Sequence, residues 1–150
     1  MTEFLKKSGC PHCYFIDQAI LGSLATKVFE TDRVIVIAGD HQYFPGYCVV
    51  IAKNHVREMH HLPPEAAANI FADVLAVGRK IEGAFKTYKM NYVSLGNVVE
   101  HLHWHVMPRT ESDPDHKDHP WKNMSRFSEN PTTPEAINHL RSIFKGDDFL

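Results

Sequence analysis

Between residues 64 and 86, apolar side chains recur at Ile70, Val74, Val77, Ile81 and Phe85. That three- and four-residue spacing lays one apolar stripe along a helix running to about Lys86. Leu62-Pro63-Pro64-Glu65 marks its entry, because proline is pre-organised for a first helical turn. The chain before it has a different period. Val28-Phe29-Glu30 is a short apolar segment, Arg33 to Ala38 is rich in β-branched residues, and Tyr47 to Ala52 is a nearly continuous apolar run suited to burial on both faces. All three predict strands. Thr31-Asp32 and Phe44-Pro45-Gly46 supply the turns between them. Beyond the helix, Tyr88 to Leu95 predicts a strand, and Gly96-Asn97 predicts a tight antiparallel hairpin into a strand over 100–107.

The ends are less regular. Residues 1–9 read as a lead-in, Cys10-Pro11-His12-Cys13 as a tight turn, and Tyr14 to Leu24 as a short helix. Arg109 to Asn130 is rich in Asp, His, Pro, Ser and Lys and reads as an irregular surface segment folded over its neighbours. Thr133 precedes Pro134-Glu135 as a helix N-cap, and Ile137, Leu140, Ile143 and Phe144 give the final helix an apolar face. These elements predict an α+β fold: an antiparallel sheet with one main helix packed on it and a C-terminal helix.

At 150 residues and 43% apolar composition, the chain suffices for one domain, 1–150, with a substantial core. The formal charge of −2 argues against a protein held to nucleic acid by electrostatics. Three cysteines are too few, and odd in number, for a secreted disulfide scaffold. Met1 to Lys7 lacks the apolar run of a signal peptide, and no stretch approaches the ~18 apolar residues of a membrane span. A soluble protein of a reducing compartment, the cytoplasm, is expected.

The most informative stretch is His101-Leu102-His103-Trp104-His105-Val106-Met107-Pro108-Arg109. In a strand, alternate residues share a face, so Leu102, Trp104 and Val106 point into a core and the three histidines point together the other way. Three aligned imidazoles can bind metal, attack phosphorus as a nucleophile, donate a proton or hold anionic oxygens. The Gly96-Asn97 turn lets backbone and amide approach a phosphate closely. Cys10-Pro11-His12-Cys13 leaves zinc and redox chemistry open, although no strand precedes it as in a thioredoxin-like site. His12, His60 and His61 are further possible ligands.

The H-x-H-x-H run followed by two apolar residues resembles the motif of the histidine-triad (HIT) superfamily of nucleotide hydrolases and transferases. The resemblance covers about residues 10–110 and leaves 111–150 as an extension. It implies a HIT-like fold, a homodimer formed through the main helix and an extended sheet, and a small-molecule nucleotide substrate. It makes His103 the nucleophile on the α-phosphate, His105 the contact to phosphate and leaving group, and His101 a support of the centre. A third histidine, where the uridylyltransferase branch carries Gln, favours hydrolysis over nucleotidyl transfer. The resemblance also implies a structural zinc held by Cys10, Cys13, His55 and His101, as in bacterial members with an N-terminal C-x-x-C. Asn97 and Asp40 are the candidates for phosphate oxygens and ribose. Arg109 is a weaker candidate for a distal phosphate, and Trp121 for a base or a dimer partner. His116 and His119 are expected in solvent.

The chain departs from the family at two places. Tyr47 stands where many members place a fourth active-site histidine, and the turn before the triad lacks a hydroxyl residue. The implied activity is hydrolysis of a dinucleoside polyphosphate such as diadenosine tetraphosphate. The alternatives are a nucleoside phosphoramidase of the Hint type and a low-turnover nucleotide- or zinc-binding module.

Overall fold

The computed structural model describes residues 4–146. Five strands form one antiparallel sheet: β1 (Lys27–Glu30), β2 (Val34–Ala38), β3 (Cys48–Ala52), β4 (Lys89–Val93) and β5 (His103–Arg109), in the spatial order β1-β2-β3-β5-β4. Three helices accompany them: α1 (Pro11–Ile20), α2 (Pro64–Ala84) and α3 (Pro134–Ile143). The fold class is therefore the α+β one expected. No helix among the described residues is long and apolar enough to cross a membrane.

β2 and β3 are buried at every position, which explains their unbroken apolar composition: both faces of the sheet are covered. On one face Val34, Val36, Val50, Trp104 and Val106 meet Ile70, Val74, Val77 and Ile81 of α2 and Ile137 and Leu140 of α3. On the other, Ile35, Ile37, Val49, Ile51 and Met107 meet Ile16 and Ala19 of α1. Asp73, fully buried on α2, accepts a two-pronged ion pair from Arg33 at 2.8 and 2.8 Å and a hydrogen bond from Thr31 Oγ1 at 3.0 Å. This pins the helix to the β1–β2 turn.

Four expectations need correction. Cys10-Pro11-His12-Cys13 is not a tight turn: Cys10 caps α1, and Pro11 opens it. The β4–β5 connection is not a two-residue hairpin. Val93 pairs with His105, so residues 94–102 form a loop and His101 precedes the strand. That loop is held away from β4 because the Leu102 N–H bonds Val56 O at 2.7 Å and the Leu102 carbonyl accepts from Ala52 N at 3.1 Å. Within the segment expected to be irregular, Pro120–Glu129 winds as tight 3-10 turns, kinked at Asn123. Finally, α2 stops at Ala84, two residues early, where Phe85 turns extended. Thr133 does cap α3, accepting from Ala136 N at 3.2 Å.

Candidate active site

Two clusters of titratable side chains meet at the head of β5. The first is built from the head of one helix and two loops. Cys10 and Cys13 lie at the start of α1, His55 follows β3, and His101 precedes β5. Their donor atoms all lie within 4.8 Å of one another. Cys10 Sγ and Cys13 Sγ are 3.4 and 3.6 Å from His101 Nδ1, Cys13 Sγ is 3.5 Å from His55 Nδ1, and the two Nδ1 atoms are 3.2 Å apart. A tetrahedral zinc with ordinary Zn–S and Zn–N bonds would separate its ligands by about 3.6 Å (sulfur to nitrogen) and about 3.3 Å (nitrogen to nitrogen). The donor set therefore fits such an ion.

The surroundings favour the same ligand states. His101 Nε2–H donates to the Ala52 carbonyl at 2.7 Å, which leaves Nδ1 with its lone pair toward the cluster. Burial holds His101 neutral, its pKa pushed down to about 4, as a ligand requires. The α1 N-terminus turns its positive end on the two sulfurs, and Lys7 N–H points at Cys13 Sγ at 3.4 Å. Burial pushes the Cys13 thiol up, so its thiolate calls for a cation beside it. This cluster could hold a metal ion.

The second cluster faces a cavity of about 440 Å³ whose walls include His12, Tyr47, Asn97, His103, His105 and Trp121. Register places His103 opposite Ile51 and His105 opposite Val49, so both histidines lie on the α1 side while Trp104 faces α2. His103 Nδ1–H donates to the His101 carbonyl at 2.6 Å. His105 Nδ1 lies 2.6 Å from the Tyr47 hydroxyl. The two imidazoles stand 5.1 Å apart by ring centres, and Trp121 meets His105 edge-on at 5.5 Å. Burial, with His103 nearby, pushes the His105 pKa down to about 4, so at neutral pH it is an uncharged ring. A side chain with one nitrogen tied back and the other free in a pocket can attack an electrophile or donate to an oxyanion.

Of the remaining candidates, Asp40 and Asn97 also line the cavity, Asn97 in the loop that Gly96 turns at φ +71°. Asp40 keeps its carboxylate in solvent. Arg109 is elsewhere. It is fully buried, bound to Asp113 and Asn91 side chains and to the Asp115 and Asp118 carbonyls, and lies over the Phe44 ring. It clamps the 110–118 segment and is not placed to meet a phosphate. His116 is not free in solvent either; it packs on Tyr88, away from the cavity. His12 is the pocket residue that sequence reasoning undervalued. Its ring lies 4.5 Å from His103, and burial pushes its pKa down to about 3. Its only signal in the sequence was its place inside the C-x-x-C. A separate cavity of about 290 Å³ lies between Tyr43, Phe44, Pro108 and Asp113, but Asp113 is already paired with Arg109.

Comparison with known proteins finds relatives of the chain in sequence and in fold. The HIT domain family model matches residues 23–112. "Protein hit" of Bacillus subtilis (strain 168) is 28% identical over 104 residues, covering 65% of this chain and 71% of that one. The bis(5'-nucleosyl)-tetraphosphatase [asymmetrical] of Schizosaccharomyces pombe is 31% identical over 74 residues, covering 46% of this chain and 41% of its own length. Among solved structures, a zinc-bound histidine triad family protein from Mycobacterium smegmatis superposes with a TM-score of 0.66 at 22% identity, over 90% of this chain and 92% of that one.

Proposed function

The chain belongs to the HIT family, and from that premise we propose that it is a nucleotide hydrolase acting at the α-phosphate through His103. The carrying observation is the His103 Nδ1–H bond to the His101 carbonyl. It fixes the tautomer that leaves the Nε2 lone pair on the cavity side. In this reading Nε2 forms a bond to phosphorus while the bond to the leaving atom breaks. The leaving atom departs with the electron pair and takes a proton from solvent. The nucleotidyl-His103 that results is cationic, and the same carbonyl stabilises its Nδ1–H. Water then attacks phosphorus, the P–Nε2 bond breaks back onto the ring, and one proton goes to solvent. Asn97 and the loop backbone at Gly96 hold the phosphoryl oxygens, and Asp40 meets the ribose.

A dinucleoside polyphosphate such as diadenosine tetraphosphate is the substrate suggested by the yeast relative's name. A second reading, a nucleoside phosphoramidate, is favoured by one observation: no Lys or Arg is among the described residues that line the cavity. A polyphosphate leaving group brings several negative charges that need such partners, whereas an amine leaves without them.

We read the Cys10, Cys13, His55 and His101 cluster as a structural zinc site. A bound zinc supplies folding energy and fixes His101, and thereby the carbonyl on which His103 leans. The chain is further read as a homodimer joined through the edge strand β4 and α2. Phe71 and Leu75 are exposed on the helix, and exposed Tyr92 of the edge strand lies over Gly78, one turn beyond Leu75 on that helix. The unpaired cysteines suit a reducing cytoplasm. The test offers adenosine 5′-phosphoramidate and diadenosine tetraphosphate to the wild type and to His103→Ala. Turnover of at least one substrate, lost in the variant, is expected. No turnover of either, or an unimpaired variant, overturns the reading.

A further inference from the structure

Tyr47, the residue at which the chain departs from the histidine-triad pattern, has surroundings built around its ring. The residue is buried. Its carbonyl accepts from Gly39 N at 3.0 Å and from Gln42 Nε2 at 3.0 Å. A Cβ on residue 39 would lie 2.1 Å from a Tyr47 ring carbon, so only glycine there leaves room for the ring. Thus held, the ring delivers its hydroxyl to one partner among the described residues, His105 Nδ1, at 2.6 Å.

We propose that Tyr47 is a positioning residue for the reaction at this site: its hydroxyl donates to His105 Nδ1 and so fixes the proton of His105 on Nε2. This rests on the reading of the pocket as a nucleotidyl-transfer site. The direction of the bond follows from chemistry. A phenol is the stronger donor and a neutral imidazole nitrogen the stronger acceptor. Burial, reinforced by the Asp40 charge, pushes the phenol up, so the hydroxyl keeps its proton at neutral pH. No hydrogen bond among the described residues engages His105 Nε2.

The two central imidazoles are then locked in complementary tautomers. His103 donates a hydrogen bond from Nδ1–H to a carbonyl and offers a lone pair at Nε2. His105 accepts a hydrogen bond at Nδ1 from the Tyr47 hydroxyl, which keeps its proton, and offers an Nε2–H. The first suits attack on phosphorus, the second a hydrogen bond to a phosphoryl oxygen or leaving atom as negative charge grows there. His105 needs to transfer no proton for this, and Tyr47 never becomes a phenolate.

The test has two arms. Long-range ¹⁵N–¹H correlation spectra of the resting, metal-loaded protein read the tautomer without any turnover. In the wild type, His105 is expected with Nε2 protonated and Nδ1 bare, and in Tyr47→Phe as a mixture of tautomers. Kinetics of Tyr47→Phe, which keeps the ring under Gly39, are expected to show kcat lowered about tenfold, as for loss of one oriented hydrogen bond, with KM little changed. A wild-type His105 protonated on Nδ1 overturns the proposal. So does a Tyr47→Phe protein with the wild-type tautomer and unchanged kcat. Absence of turnover in the wild type defeats the hydrolase reading instead, and the spectra still decide the tautomer.

Discussion

The imidazole of His103 leans on the main-chain oxygen of His101 at 2.6 Å, and the side chain of that same His101 faces Cys10, Cys13 and His55. One residue thus touches both clusters, its ring directed to the cysteines and His55 that could hold a metal and its carbonyl to His103. Cys10→Ser is therefore expected to lose zinc and, with it, turnover by about 10- to 100-fold, the scale typical when a supporting shell is disturbed. Metal analysis and rate measurements on wild type and variant check both effects. Wild-type protein that binds no zinc, or a zinc-free variant at full rate, goes against the coupling.

Acid should destabilise the protein through histidines buried in neutral form. His41 stacks on Phe127 at 3.9 Å, its Nδ1 accepts from Tyr43 N at 3.2 Å, and burial pulls its pKa down against the opposing pull of Asp40. With a folded pKa below the ordinary 6.5, the unfolded chain binds the proton first as pH falls. Stability is then greatest above 6.5 and is lost below it. His105, held to about 4, acts with the same sign. Urea unfolding at pH about 5.5 should give a lower free energy than at pH about 7.5. His41→Phe, whatever its absolute stability, should flatten that slope, and an unchanged slope would count against the assignment.

Asp73→Ala removes the buried anion that receives Arg33 and Thr31. The expected loss is about 2–3 kcal/mol, because a part-buried guanidinium loses its partner and α2 its anchor to the β1–β2 turn. Denaturant titration checks it, and a change under about 0.5 kcal/mol, the range of ordinary surface substitutions, would show that water replaces the pair.

The dimer predicted through α2 and β4 depends on Phe71, Leu75 and Tyr92, all exposed in the single chain. Leu75→Glu places a charge in the middle of that strip and should convert a dimer into a monomer by light scattering, with activity retained by any pocket complete in one chain. An unchanged mass in the variant would move the interface elsewhere.

The parts of the fold legible in the sequence were those set by periodicity. Trp104 and Val106 did mark the α2 side of β5, with Leu102 entering the same core from the loop before it, and the stripe from Ile70 to Ile81 marked α2. Thr133 announced its cap by chemistry alone. What escaped notice was set by long-range pairing. Nothing local says that Leu102 bonds Val56 rather than β4, so the loop of 94–102 read as a hairpin and His101 as part of the strand. The same holds for Arg109, which meets two side chains, Asn91 on β4 and Asp113, and two carbonyls, Asp115 and Asp118, three of the four lying in a segment without periodicity. The gathering of Cys10, Cys13, His55 and His101 was foreshadowed by resemblance and not by spacing. His12 went unplaced because only the α1 helix, beginning inside the C-x-x-C, turns its ring toward His103.

The most direct measurement is of the covalent species itself. Wild-type protein mixed with excess adenosine 5′-phosphoramidate, quenched early and digested, should yield an adenylylated peptide with the modification on His103 by mass spectrometry. The adduct should appear at a rate matching turnover and be missing from His103→Ala. Substrate turnover with no adduct at any quench time, or an adduct mapped to another histidine, would contradict nucleophilic attack by His103.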